Sequence, residues 1–318
     1  MNHIYVDSEF APLRRVVVTQ SEFVIPTKQE KFSFLTKEFL ENEAPGGLFG
    51  DLFPDKQRLW EQERADLVAV LQKYGVEVLR PRKMTDYEKT HDPASGAANF
   101  FVRDPFFTVG PYLIEGALRF RHRRDEVFPV RDLLMKEGFD SDAIYVALPK
   151  PDTSDGPDSQ KGPFLEGGDV LVYGKNIFVG KSGLASDDGG YLWLKHLMEP
   201  QGYTVTQVPL LPNVLHLDCA MSLVRDGLMI VAEKALLGGI PAVFADWDKI
   251  IVDPEEIQYL TINGLPINER TYLTDYAFKD TIGKELKKRG ITVEYVHFDI
   301  SRSFGGSFRC STQPLLRE

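Results

Sequence analysis

The chain has 318 residues, 43% of them hydrophobic and 26% charged, with a formal net charge of −10 and two cysteines. That length permits a sizeable core in one large domain or in two, and the composition is that of a globular protein. The acidic balance argues against nucleic-acid binding, which requires a basic surface; two cysteines make no disulfide framework; no Cys/His cluster has zinc spacing; and no apolar run approaches the ~18 residues of a membrane span.

The opening stretch, MNHIYVDSEFAPLRR, carries acids and no apolar core of the signal-peptide kind, which points to the cytoplasm. Residues 21–60 contain APGGLFGDLFPDK, rich in glycine with exposed-looking phenylalanines, and read as a functional lid or a disordered loop. From there a unit recurs: an amphipathic helix, a glycine at the C-cap, then a short apolar strand. It reads as ADLVAVLQKYGVEVLRP at 65–81, RDLLMKEGFDSDAIYVALPKP at 131–151, GYLWLKHLMEPQGYTVTQVPL at 190–210 and IGKELKKRGITVEYVHF at 282–298. Hairpin-like segments lie between the units. One spans 99–117 with a Gly-Pro turn, one spans 164–182 and turns at Gly174, and one spans 215–235 and turns at Asp226-Gly227. The proline- and aspartate-rich stretch 149–163 reads as a surface loop. A repeat of strand, strand, helix, strand in four or five copies predicts one cyclic α/β domain over 1–318, with the first strands converging on a shared pocket.

Each hairpin opens with a polar cluster in an otherwise apolar strand: Arg103-Asp104, then Glu166-Gly167-Gly168-Asp169, then His216 and Asp218. Charges inside apolar strands are costly unless paired or used, and three clusters at equivalent places in a repeat favour use. Strand alternation puts His216 and Asp218 on one face, with Leu217 and Cys219 on the other. Cys219 therefore reads as a small buried hydrophobe, whereas Cys310, behind Gly305-Gly306 and among Arg309, Ser311 and Thr312, reads as a nucleophile. Carboxylates around a thiol raise its pKa and blunt it. The arrangement suits a substrate that brings its own positive charge, such as a guanidinium, whose N–H fork matches carboxylates and whose charge favours the thiolate.

FVRDP, EGGD, HLD and the terminal GGSFRCSTQPL, in that order, resemble the guanidino-group-modifying enzymes: amidinotransferases, arginine deiminases and dimethylarginine dimethylaminohydrolases. The resemblance runs from EFAPLRRVVVTQ, like the opening strand of that fold, through GYLWLKHLMEPQGYTVTQVPLLPNVLHLD, which is most similar to the amidinotransferase branch. It implies the pentein α/β propeller, five pseudo-repeats of strand-strand-helix-strand around a central active-site pocket. It also implies Cys310 as nucleophile and His216 as general acid and then base. Glu166 would lie beside His216 or against the substrate, Asp104 and Asp218 would clamp the guanidinium, and Arg123 in RFRHRRDE would hold the substrate carboxylate. From the residues alone that basic run reads as a solvated face.

Three departures stand out. KSGLASDDGG lacks the arginine that deiminases carry after the EGGD hairpin, Lys234 is the nearest basic residue where amidinotransferases have an arginine, and Glu166 replaces the aspartate usual in amidinotransferases. The implied reaction needs no metal or organic cofactor. The implied partners are a cationic guanidino compound and, for transfer, an amine acceptor; a homodimer is compatible with the resemblance. Transfer of the amidino group and its hydrolysis to a ureido product both remain open, with transfer ahead. A non-catalytic binding protein on the same fold and a cysteine amidase are the rivals from other classes.

Overall fold

The computed structural model describes residues 3–27 and 46–318. Five three-stranded sheets share one pattern, in which the first strand runs antiparallel to the second and the second parallel to the third. The second sheet joins Phe106–Val109, Tyr112–Glu115 and Ile144–Ala147; the third joins Val170–Tyr173, Asn176–Lys181 and Thr204–Pro209. The fourth joins Met221–Arg225, Leu228–Val231 and Asp248–Ile251, and the fifth joins Leu265–Asn268, Thr271–Asp275 and Thr292–Val296. The first sheet is assembled from distant parts of the chain. Leu13–Val18 pairs antiparallel with Thr312–Arg317, with Val18 opposite Thr312, and parallel with Glu77–Leu79.

Helices Pro54–Lys73, Phe128–Phe139, Asp188–Met198 and Ile282–Lys288 bridge the second and third strands of four sheets. Three exits are built on the expected glycine. Gly75, Gly202 and Gly290 have φ of 75°, 80° and 78°, and past each of them an N–H returns to the helix: Val76 to Leu71, Tyr203 to Met198 and Ile291 to Leu286. Gly138 differs from expectation. It lies within the helix Phe128–Phe139 and does not cap; a Cβ there would meet that of Tyr145 at an ordinary contact of 3.6 Å.

Apolar clusters tie each sheet to the next. Val17 and Leu315 pack with Phe106 and Leu113; Phe107 and Ile114 with Val170 and Ile177; Leu171 and Phe178 with Leu223 and Ile230. The fourth sheet continues to Tyr272 of the fifth, and Leu265 and Leu273 of the fifth return to Leu13 and Val16 of the first. The order of the sheets is thus cyclic. A sixth, wholly antiparallel sheet of Gly47–Leu48, Glu22–Ile25 and Ala97–Asn99 is inserted after the first strand. Of the stretch 21–60 read as a lid or loop, residues 28–45 lie outside the described residues. Phe49 is no exposed lid residue: it is buried against Trp60 and Phe304, with ring centroids 5.6 and 5.1 Å away. Among the described residues no helix is long and apolar enough to cross a membrane.

Candidate active site

The polar clusters sit in the turns before the first strands, not in the strands. Asp104 lies in the turn that ends at Phe106, Glu166 precedes the 3-10 turn Gly167–Asp169, and His216 caps the short helix Leu217–Ala220. Strand alternation therefore does not apply at 216–219, and it does not separate Cys219 from the site. Cys219 is buried with its sulfur 3.6 Å from Asp218 Oδ1. Repetition of the sheet carries one such turn to each first strand. Asp104, Gly168, Asn263 and Cys310 each stand two residues ahead of it, and Asp218 three.

Histidine 216 is 1% exposed, and its Nε2 lies 2.8 Å from Glu166 Oε2. Its Nδ1 is 3.8 Å from Asp104 Oδ1. Burial alone would lower its pKa, but Asp104, the hydrogen bond to Glu166 and the charge of Asp169 outweigh burial and push it up to about 10. The resting imidazole is therefore an imidazolium. The two glycines of EGGD make this approach feasible: a Cβ on Gly168 would lie 2.6 Å from His216 Nδ1 and 2.7 Å from Asp104 Oδ1, and one on Gly167 would strike the Arg103 carbonyl at 2.1 Å. Asp169 completes the motif by accepting from the backbone N–H groups of Leu217 and Ser186 at 3.0 and 3.2 Å, which anchors the turn that carries His216.

The basic run is not a solvated face. Arg123 is buried and donates to Asp104 Oδ2 at 2.8 Å and to both Glu126 oxygens at 2.8 and 2.7 Å, and its Nη1 lies 3.7 Å from Glu166. Arg121 pairs with Asp92 at 2.7 Å, and Arg124 donates to the Pro157 and Ser159 carbonyls of the 149–163 loop. Arg123 and Asp104, assigned from sequence to opposite ends of a substrate, are bonded to each other. Burial would raise the Asp104 pKa, but protonated His216 and Arg123 hold it below the usual carboxylate range. Asp104, Glu166 and His216 place ligand-type atoms within 4.8 Å of one another, and the guanidinium of Arg123 sets a positive charge beside them.

Asp218, fully buried, is held by Arg309, whose Nη1 donates to Asp218 Oδ2 at 2.9 Å while Nε and Nη2 reach the two Glu9 oxygens at 3.2 Å. Cys310 follows Arg309. Its N–H is 3.3 Å from Asn263 Oδ1, its carbonyl accepts from Arg103 N–H at 3.2 Å, and Asn263 Nδ2 also reaches the Asp218 carbonyl at 3.4 Å. Burial, then the charges of Asp218 and Asp104, push the Cys310 thiol well above its usual value, against an N–H hydrogen bond from Ser307 and the charge of Arg309. The two glycines before it divide the work: Gly305 has φ of 84°, and Gly306 lets the Phe101 ring approach to 2.2 Å of where a Cβ would be.

All six residues expected from the sequence are buried: five lie in the turns that precede the first strands, and Arg123 lies in the 3-10 helix Arg121–Arg123 that follows the second strand of the second sheet. Arg123 and His216 each approach both Asp104 and Glu166, and the carboxylates of Asp104 and Asp218 act on the Cys310 sulfur. Asn263, Arg309 and Glu9 complete the constellation and were not assigned from sequence. The repeat register would have found Asn263, because Asn263-Gly264 holds the place in the fifth sheet that Asp104 holds in the second. Lys234 lies away at the surface, 79% exposed and 3.8 Å from Asp253.

A ring of five like sheets around buried cysteine, histidine and paired carboxylates is the pentein architecture of the guanidino-group-modifying enzymes. Over residues 79–262, more than half of its length, the chain matches the arginine deiminase family model, and it belongs to that family. Along its whole length it is 27% identical to inosamine-phosphate amidinotransferase 1 of Streptomyces griseus, covering 98% of that protein. It is 25% identical to the L-arginine:L-lysine amidinotransferase of Pseudomonas savastanoi pv. phaseolicola, over 92% of this chain and 85% of that one. The solved structure of the Streptomyces griseus enzyme superposes with a TM-score of 0.81 at 23% identity, covering 100% of this chain and 97% of that one. Dimethylarginine dimethylaminohydrolase from Pseudomonas aeruginosa superposes at 0.66 with 16% identity, covering 95% and 99%.

Proposed function

We propose that residues 1–318 form one catalytic domain that transfers the amidino group of arginine or a similar guanidino donor to an amine acceptor through a covalent Cys310 adduct. The observation that carries the reading is the charge state of the site. An imidazolium at His216, bonded to Glu166, stands with a protonated thiol beside two carboxylates. A guanidinium between Asp104 and Asp218 offsets their charge, so the thiol at Cys310 gives up its proton to solvent as the donor binds, and the released amine takes one up again. The thiolate attacks the central guanidinium carbon and forms the S–C bond. His216 protonates the departing nitrogen, the C–N bond breaks, and the amine leaves.

In the second half His216 is neutral. An acceptor ammonium gives one proton to His216 and one to the departing sulfur, forms the new C–N bond and restores thiol and imidazolium. Arg123 acts as a positioning residue that fixes Asp104 and Glu166, a role supported by its bonds to Asp104 and Glu126. Transfer is favoured by full-length similarity to two amidinotransferases and by the buried apolar cluster that Cys310 shares with Phe23, Phe100, Phe101 and Phe304, surroundings that disfavour water at an adduct. Hydrolysis to a ureido product is the second reading. Glu166 of EGGD favours it, as does the match to the arginine deiminase model.

The test is product release with donor alone. Transfer gives a burst of about one equivalent of amino product per site, followed by steady ping-pong turnover once an amine is added. Rapid multiple turnover to a ureido product without any amine establishes the hydrolase.

A further inference from the structure

A cleft of about 450 Å³ opens at the end of the first strand, lined by Gln20, Ser21, Phe23, Arg64, Arg80 and Lys83 among others. Four cations line it, Arg64, Arg80, Lys83 and Lys89, against two acids, Glu22 and Glu61. Both acids are engaged. Glu22 accepts from Met84 N–H and Asn99 Nδ2 at 2.9 Å and lies 3.5 Å from Lys89, and Glu61 accepts from Gln57. Among the described residues Arg80 bonds to the Gln20 side chain, at 2.9 Å.

Arg64 is the informative member. It is 2% exposed and its guanidinium lies 4.9 Å from the Phe298 ring centroid, yet its Nε and Nη2 reach the Gln20 and Phe100 carbonyls only at 3.4 Å, and among the described residues its Nη1 has no hydrogen-bond partner. The neighbouring Glu63 is committed to Ser301 and Ile300. A buried guanidinium without a bonded carboxylate is costly, and burial draws the Arg64 pKa down to about 9. The cleft adjoins the nucleophile. Thr19 N–H donates to the Ser311 carbonyl at 3.0 Å, Phe23 and Trp60 share an apolar cluster with Cys310, and a charge on Cys310 acts on Arg64.

We propose that this cleft is an anion-binding subsite that takes the phosphate or carboxylate group of one of the two substrates while that substrate's nitrogen end lies at Cys310. The guanidinium fork of Arg64 suits either oxyanion, and Arg80 and Lys83 close around it from the rim. The link to substrate rests on the amidino-transfer reading, whereas anion binding does not. In this chain Arg123 is taken up by Asp104 and Glu126, so the cleft offers the positive charge that an acidic substrate end requires.

The test uses the full chain and inorganic phosphate, read by titration calorimetry and by the shift in melting temperature. Arg64 is buried and its variants endanger the fold, so the rim is changed instead, as Arg80→Gln with Lys83→Gln. Saturable phosphate binding, weakened about tenfold or more in the double variant, supports the subsite. Absence of saturable binding, or binding unchanged by the double variant, overturns it. Kinetics then identify the substrate: a higher KM for arginine but not for agmatine, which lacks the carboxylate, assigns the cleft to the donor, and a higher KM for an acidic acceptor alone assigns it to the acceptor. If phosphate binds but no KM moves, the substrate role is refuted. If no guanidino turnover is found at all, the amidino-transfer reading fails, and phosphate binding in Cys310→Ser still decides whether the cleft takes anions.

Discussion

His216 Nε2 and Glu166 Oε2 meet at 2.8 Å with both side chains buried, and Arg119 N–H donates to the other Glu166 oxygen at 2.9 Å. With a pKa raised from 6.5 to about 10, His216 contributes stability that is fully present below pH 6.5 and is lost as pH rises through about 10. Glu166→Gln removes the charge that supports the imidazolium. It is expected to lower the His216 pKa and bring the alkaline limb of the pH–rate profile toward neutrality, as followed by imidazole NMR and by kcat. An alkaline limb that stays near pH 10 in this variant removes Glu166 from the proton path.

Gly168→Ala tests how closely the motif is packed. A methyl group there collides with His216 Nδ1 and Asp104 Oδ1. Both are held by other bonds, so the imidazole must turn out of line. The expected outcome is loss of kcat by about a hundredfold or more, since small misplacements are costly to catalysis, with a far-ultraviolet spectrum like that of the parent. Near-normal kcat would show that the imidazole has freedom the packing denies it.

The thiol offers a direct reading of substrate-assisted ionisation. Cys310 is expected to titrate well above the ordinary cysteine range in the free protein and markedly lower with a guanidinium ligand bound, followed by thiolate absorbance in a Cys219→Ala background. Cys310→Ser abolishes turnover with the fold retained, and Cys219→Ser retains most activity. An unshifted titration on ligand binding contradicts the charge-offset mechanism, and an essential Cys219 contradicts the assignment of the nucleophile.

Asp104 and Asp218 each answer to an arginine, Arg123 and Arg309, at 2.8 and 2.9 Å. Asp104→Asn and Asp218→Asn are expected to cut kcat/KM about tenfold to a hundredfold, the loss of a charge-assisted hydrogen bond. Each also costs up to about 3–5 kcal/mol in urea unfolding, because a buried arginine loses its counter-charge. If stability falls while kcat/KM holds, the aspartates are structural partners of the arginines and not a substrate clamp.

Much of this was legible in the chain. The helix–glycine–strand units and the hairpin turns announced the repeated sheet, because glycine at a left-handed exit and alternating apolar runs are local signals. Cys310, His216 and the acids stood out as polar residues in apolar surroundings. What sequence concealed is pairing across distance. Arg123 reads as part of a surface run, yet it folds inward to Asp104, and Arg309 reads as a neighbour of the cysteine, yet it reaches Glu9. The turn at 216–219 was misread as strand because four residues are too few for a period to declare itself. Gly138 was misread as a cap because glycine in the last helical turn looks the same whether it ends the helix or lies one residue inside it.

The strand Thr312–Arg317 completes the first sheet beside Leu13–Val18, and Arg309 grips Glu9 across 300 residues of sequence. Placing Cys310 therefore requires the two ends of the described chain to close on each other. Such closures carry the full loop entropy and form slowly. On dilution from denaturant, helical signal should recover first and catalytic competence last. An intermediate with four sheets formed and the last strand undocked already carries His216 and its acids but leaves Cys310 unplaced, so under the proposed mechanism the sulfur is armed only in the finished ring.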